Sequence, residues 1–471
     1  MNVKDYRYIC KVCDKFLLNP NAKLSTIAIS YLHVIREHPI FTEKYKKIFE
    51  RINFFLPKYF ISLTRLLLLV IARFFKRFFL KSNDLEIFGK ISERTDLVVV
   101  SHLINEKYLE RKDDFYLGEL QNNSKFLNKN ILLVLLNHTN ISEKLLSKRY
   151  GKNVCIPKII LGETLSIKNE FKNLKICIRE SISLQNHIIP KNEKETNMIK
   201  VCSLEALSFS TLANLRIGDQ IKKIVEKYKP KAILTTFEGH AYERIIYASA
   251  RKINPLIKCL AFQHTRVFPL QHAMLRDLNV KYNPDIIFTS GKNSYSHIQK
   301  RKKNKKIKVE ILGSPTFYKY QKSITEEDYI IKKGTQDFCI VMPEGYISET
   351  LTLFDFIIEA SKNSSINFIF RLHPLINVTQ LCYLRPKFKS EEYKNIIISN
   401  TNLDIDLSKS KWILYRGSTG VLRAIKRGII PIYLKISNDE LNIDPLFDLS
   451  DSKYEIQSIK DLNKIFNKTN Y

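Results

Sequence analysis

The sequence predicts an α/β protein of two Rossmann-like lobes, with an active-site cleft between the lobes and a helical N-terminal extension. Two observations predict the lobes. Short runs of β-branched and aliphatic residues, such as "DLVVVSH" (96–102) and "NILLVLLNHTN" (130–140), alternate with helical stretches, and the alternation begins a second time near residue 275. Several of these runs end in His, Glu, Gly or Pro, the residues that shape ligand loops at the strand ends of open sheets. A chain of 471 residues has room for two or three domains of this kind.

Residues 1–83 read as a basic, mainly helical extension. Within them "LPKYFISLTRLLLLVIARFFKRFFLK" (56–81) is the most membrane-like segment. Arg65 and Arg73 bracket its continuous apolar run, leaving far fewer than the ~20 residues of a helical span. Two readings stay open: a monotopic helix on an anionic surface, or a core or domain-packing helix. Residues 84–272 form the expected acceptor-side lobe. Its strands are the two runs above, "LKICIRE" (174–180), "KAILTTF" and "IKCLAFQHT", with a long helical region over 196–230 and a further helix after "FEGH". Residues 273–471 form the expected nucleotide-binding lobe and end in a helical segment. "PDIIFTSG", "KVEILGSP", "DFCIVMPEG", "INFIFRLHPL" and "KWILY" are its strands, and "SETLTLFDFIIEASK" is a helix.

The formal charge of +30 makes anionic partners plausible. No zinc-finger spacing or base-stacking aromatic pattern accompanies the lysines, so no nucleic-acid partner is expected, and "RKKNKKIK" reads as a solvated turn. The eight cysteines are scattered; Cys10 and Cys13 have a CxxC spacing without a second pair, so no metal site is expected and a reducing cytoplasm fits. The N-terminus, "MNVKDYRYICKVCDKF", has charges where a signal peptide needs an apolar core.

The candidate phosphate site lies in the second lobe. Arg371, His373 and Pro374 follow a buried strand in "FRLHP". In "YRGSTGVLRAIKRG", Gly417 and Gly420 allow close approach, while Ser418 and Thr419 introduce a helix whose N-terminus offers anion-binding N–H groups. The alternatives are helix capping for this loop and local packing for His373. His38-Pro39 repeats the dipeptide in what reads as an unrelated helical context. Glu344 and Gly345 in "MPEG" either shape a nucleotide pocket or form a turn.

The first lobe supplies Glu238 and Gly239. Glu238 reads as a general base or as a cap of the helix that begins near His240, and Glu243 as a cap or salt-bridge residue. His102, His138, His240 and His264 lie in or near strand-end loops, where they are candidates for binding a hydroxyl-rich acceptor.

Taken in order, "SHLIN", "NHTN", "FEGHAYE", "AFQHT", "MPEG", "RLHP" and "RGSTG" resemble bacterial surface and capsular polysaccharide glycosyltransferases of the GT-B class, over about residues 95–450. The resemblance is to the superfamily of polysialyltransferases and Kdo transferases. Here Phe237 stands where polysialyltransferases double the acidic residue before Glu238. The resemblance implies a GT-B-like fold and metal-independent transfer from a CMP-activated acidic sugar, a donor substrate rather than a cofactor. His373 and the Ser418/Thr419 loop would bind the donor phosphate, and Glu238 would activate a hydroxyl of a lipid-linked or polysaccharide acceptor. It places the protein in the cytoplasm or at the cytoplasmic face of the inner membrane. Two other readings stand beside it: a CDP-glycerol-dependent glycerophosphotransferase of teichoic-acid type, with His264 as base, and a non-catalytic scaffold for anionic glycans.

Overall fold

A computed structural model of the chain describes residues 1–471 apart from 51, 93, 120–122, 124, 152–153, 188–189, 315–337, 363, 375, 387–394, 439, 450–451 and 470–471. The chain divides into two compact units. The N-terminal unit holds Lys4–Arg36 and Phe41–Tyr320; the C-terminal unit holds Met1–Val3, Glu37–Ile40 and Gln321–Tyr471.

The N-terminal unit is built on strands β1 (Leu85–Phe88), β2 (Leu97–Leu103), β3 (Ile131–Asn137), β4 (Lys158–Leu161), β5 (Ala232–Thr236), β6 (Lys258–Gln263), β7 (Ile286–Thr289) and β8 (Lys308–Ile311). They form one sheet in the order β1-β4-β3-β2-β5-β6-β7-β8. β1 runs antiparallel to β4, and the other pairs are parallel. Successive residues of β2 enter opposite cores. Val98 and Val100 pack with Ile221, Ile224 and Tyr247, whereas Val99 packs with Leu117, Leu234 and Phe262. Burial on both faces is why these strands read as unbroken apolar runs. From β4 to β7 the order is that of a doubly wound sheet, which reverses between β2 and β5.

The helices of this unit include α1 (Val3–Leu17), α2 (Phe55–Leu80), α3 (Ile167–His187), α4 (Glu193–Ala206), α5 (Phe209–Tyr228) and α6 (Ala241–Ile253). Cys10 and Cys13 are buried with Tyr6, Ile9 and Phe16 in α1. The expected strand at 174–180 is instead part of α3: Leu174, Cys177, Ser181 and Leu184 are buried at helical spacing, a period a short apolar run does not display. The helical region over 196–230 breaks between α4 and α5, where Ser208 accepts the Thr211 N–H and starts a new helix.

The C-terminal unit carries β9 (Phe338–Met342), β10 (Asn367–Phe370), β11 (Ile396–Ile398), β12 (Ser410–Tyr415), β13 (Ile430–Leu434) and β14 (Tyr454–Ile456), with α7 (Ile347–Ser361), α8 (Leu403–Lys409) and α9 (Val421–Lys426) among its helices. All its strands are parallel, in the order β11-β10-β9-β12-β13-β14. The two Rossmann-like α/β units expected of a GT-B-like chain are therefore present, together with a helical N-terminal region. The expected boundary at 272/273 falls elsewhere. β7 pairs with β6 and β8 with β7, so the N-terminal sheet continues and the division lies at Tyr320. Nor do residues 1–83 stand apart as an extension, since most of them group with the N-terminal unit.

Candidate functional site

Each unit gathers its predicted polar residues at the carboxyl ends of its central strands, beside the point where strand order reverses. Open α/β sheets bind ligands at such points, because the flanking loops diverge there.

In the N-terminal unit β5 leads into Phe237, Glu238, Gly239 and His240, which is the N-cap of α6. Gly239 has φ 92°, and a Cβ there would lie 2.4 Å from the carbonyl carbon of Ala273, so only glycine fits. The buried Glu243 carboxylate accepts the backbone N–H groups of Glu238 (3.0 Å), Gly239 (2.7 Å) and His240 (2.7 Å). Burial raises its pKa to about 7 against those donors. Glu243 thus does the capping, and the carboxylate of Glu238 is left for other partners.

Glu238 accepts from Thr265 Oγ1 at 2.5 Å and pairs with His240 Nε2 at 3.4 Å. Burial by itself would raise its pKa; the His240 hydrogen bond and the charge of Arg36 outweigh burial and hold the carboxyl well below the usual range. Arg36 comes from the N-terminal region, its guanidinium 5.2 Å from the Phe41 ring centre and 5.6 Å from that of Phe268. His240 is raised in turn, burial being overcome by the Glu238 carboxylate, and its ring stacks on Tyr242 at 5.5 Å.

At the ends of β2 and β3, His102 Nδ1 lies 2.8 Å from His138 Nε2, and His102 Nε2 lies 3.0 Å from the Tyr242 hydroxyl. Burial, with the histidines around it, lowers His102 to about 3; burial also lowers His138 and His264. These imidazoles are therefore neutral at pH 7, able to exchange hydrogen bonds with hydroxyl groups without adding charge. His264 follows β6 and packs edge-on against Tyr116 at 4.5 Å. The structure thus joins Glu238, Gly239, His240, His102, His138 and His264 in one neighbourhood. It adds Tyr116, Tyr242, Thr265 and Arg36. Tyr242 and Thr265 lie inside the quoted motifs "FEGHAYE" and "AFQHT"; no local signal marks Tyr116 or Arg36.

In the C-terminal unit Glu344 and Gly345 follow β9, Arg371, His373 and Pro374 follow β10, and Gly417, Ser418, Thr419 and Gly420 follow β12. Close approach fixes the glycines: a Cβ on Gly345 would lie 2.8 Å from His373 Nδ1, one on Gly417 2.2 Å from Glu344 Oε1, and one on Gly420 2.3 Å from Met342 Cε. His373 is half-buried, and burial lowers its pKa. Arg371 Nη1 is committed to Asp406 Oδ2 (2.6 Å) and the Thr401 carbonyl (2.8 Å), so it ties its loop to α8. The buried Arg416, unmarked in the sequence, anchors the glycine loop through Glu349 (2.5 Å), Glu440 (2.9 Å) and the Leu434 carbonyl (2.7 Å).

Two expectations change here. α9 spans only six residues, and the N–H groups of Val421 and Leu422 already bond to the carbonyls of Ser418 and Thr419. A helix N-terminus thus contributes little, and the loop's hydroxyls and glycine backbone carry the anion-binding case. The His38-Pro39 dipeptide is not unrelated, because Glu37–Ile40 groups with this unit and His38 Nε2 lies in hydrogen-bond contact with Glu344 Oε2. The other oxygen, Glu344 Oε1, is buried without a partner among the described residues.

No protein-family model matches the sequence, and no curated protein matches it. Solved structures resemble it at low identity. The UDP-GlcNAc 2-epimerase of Methanocaldococcus jannaschii is 12% identical, with 78% of this chain and 91% of that one covered and a TM-score of 0.41. The Neisseria meningitidis UDP-GlcNAc 2-epimerase bound to UDP-GlcNAc is 12% identical over 79% and 91%, with a TM-score of 0.43. MurG of Acinetobacter baumannii is 12% identical over 80% and 91%, with a TM-score of 0.41. None of these is a polysialyltransferase or a Kdo transferase, and two are epimerases of a UDP-sugar. The expected CMP-activated acidic-sugar donor is corrected on this finding. What stands from the family resemblance is the GT-B-like pair of Rossmann-like units.

Proposed function

We propose that the protein is a nucleotide-sugar-dependent glycosyltransferase that moves a sugar to a hydroxyl of a glycan or lipid-linked acceptor. One observation carries the reading: Glu243 satisfies the N–H groups at the start of α6, which leaves the ionised carboxylate of Glu238 at a strand end among neutral imidazoles and a tyrosine hydroxyl. In this reading Glu238 takes the acceptor O–H proton as that oxygen forms its bond to the anomeric carbon. The bond from the anomeric carbon to the nucleotide phosphate breaks, and its electron pair leaves with the phosphate. His373 and the Ser418/Thr419 loop hold that phosphate, and Glu344, positioned by His38, faces the nucleoside. Thr265 and His240 orient the base, and their bonds to Glu238 are the ones an acceptor hydroxyl would replace or share.

The test is turnover of uridine, guanosine and thymidine nucleotide sugars with a pooled glycan acceptor, reading both products by mass. Sugar transfer with nucleotide release is expected, and Glu238→Gln should slow it by about 10²–10⁴-fold while donor binding persists. Rearrangement of the sugar with the nucleotide still attached would replace transfer by isomerisation. Full activity of Glu238→Gln would remove Glu238 as base.

A further inference from the structure

α2 is one unbroken helix of 26 residues that runs through both Arg65 and Arg73. Its Phe55–Phe79 stretch is long and apolar enough to cross a membrane by length and composition, and only 11% of its most apolar window is buried. The helix is therefore not a core helix, although one face packs on the rest of its unit. Among its described residues, only Leu66, Val70 and Arg73 are buried.

These three residues share one face, which packs against α3 and α4. Arg73 sits 3.9 Å from Glu170 and 5.3 Å from the centre of the Phe209 ring, while Lys76 pairs with Glu163 and Arg77 with Asp84. At about 100° per residue the opposite face is a broad apolar arc broken only by the uncharged Thr64 among the described residues. It carries Phe60, Ile61, Leu68, Phe75, Phe78 and Phe79, of which Phe78 and Phe79 are each 68% exposed. Lys58 and Arg65, both exposed, line one edge of that arc, and no acidic residue occurs anywhere in the helix.

We infer that α2 docks the protein in the plane of an anionic lipid bilayer, its phenylalanine face among the acyl chains and Lys58 and Arg65 at the lipid phosphates. The two orthogonal requirements of an interfacial helix, an apolar face and a basic flank, are both met. A spanning orientation would surround the helix with lipid and break the ion pairs of Arg73, Lys76 and Arg77 with the globular unit. A second copy of the chain would bring Lys58 and Arg65 against equally basic surfaces, in a protein with a formal charge of +30. The inference is independent of the catalytic reading.

Vesicle flotation of the purified full chain tests it, with phosphatidylglycerol–phosphatidylcholine vesicles beside pure phosphatidylcholine. Binding to the anionic vesicles is expected, weakened by salt. Lys58→Glu/Arg65→Glu should reduce it by on the order of tenfold or more, and Phe75→Ser/Phe78→Ser/Phe79→Ser should abolish it. Those side chains are exposed, so circular dichroism and urea unfolding should match the parent. Failure to float, or equal binding to neutral vesicles, overturns the proposal. So does a lipid-free dimer that the triple variant dissolves, which would assign the face to self-association, or retention in membranes after alkaline carbonate, which would assign it to spanning.

Discussion

The two sheets wind in the same strand order about their reversal points, yet the clusters at their strand ends are held by different means. In the N-terminal unit side-chain hydrogen bonds set the loop. Glu243 gathers three backbone N–H groups, and the buried Arg244 binds Asn283 Oδ1 at 2.7 Å and the Ala273 carbonyl at 2.9 Å. In the C-terminal unit Arg416 also ties its loop, through Glu349 and Glu440, but the glycines there abut side chains, Gly345 against His373 and Gly417 against Glu344, whereas Gly239 abuts backbone. The first arrangement fixes a carboxylate within a rigid network. The second leaves side chains at the surface of a loop, where a ligand can replace their neighbours. Damage to the first should therefore register in stability, and damage to the second in binding.

The largest effect expected is that of Glu243→Ala, which leaves three backbone N–H groups without an acceptor; at about 1–3 kcal/mol for each buried orphan, the loss is about 3 kcal/mol or more. Gly239→Ala should cost a similar amount, since it combines φ 92° with the clash at Ala273. Urea unfolding measures both. Unchanged stability in Glu243→Ala would show that the network does not hold the loop, and the contrast between the units would fail.

Gly417→Ala comes next and should act on the other side of that contrast. Its Cβ must push aside the Glu344 carboxylate, the end of a side chain rather than backbone, so unfolding stability should fall by about 1 kcal/mol or less. Donor affinity, measured by calorimetry, should fall by about tenfold, because Glu344 and its His38 partner move together. His38→Ala should weaken the same affinity less. A large stability loss without a change in affinity would make this loop structural in the same sense as that of Glu243.

The sequence shows the strands of both sheets where apolar runs are short and bounded, as in "DLVVVSH" and "DFCIVMPEG", because burial on both faces leaves no polar interruption. It does not show which sheet a strand joins. "PDIIFTSG" opens what reads as a second alternation, but as β7 it pairs with β6 through contacts that no local pattern records. The strand-end positions of Glu238, His264, His373 and Ser418 were legible for the same reason the strands were, since each lies within three residues of the end of an apolar run. Arg36 and His38 were not, because their roles depend on where a distant N-terminal segment lies. In α2 the apolar residues were plain; which face the rest of the unit covers was not.

The smallest effect, and the one that sharpens the account of the N-terminal network, concerns pH. The carboxylate of Glu238 raises the pKa of His240 above its ordinary 6.5, and His240 with Arg36 holds Glu238 below its ordinary 4.5. A raised histidine gives stability that is complete below about pH 6.5 and is lost as pH climbs through the folded-state value; a depressed carboxyl gives stability that is present above about pH 4.5 and lost as pH falls. The pair should therefore favour the folded state most between those limits. His240 is 30% exposed and the contact is 3.4 Å long, so its share is under about 1 kcal/mol. In His240→Gln the decline of stability above pH 6.5 should flatten, while the decline on the acid side, where Arg36 still faces Glu238, should remain in part. An unchanged alkaline slope in that variant would mean that His240 is neutral beside Glu238, and Arg36 would then be the chief cation holding the carboxylate ionised.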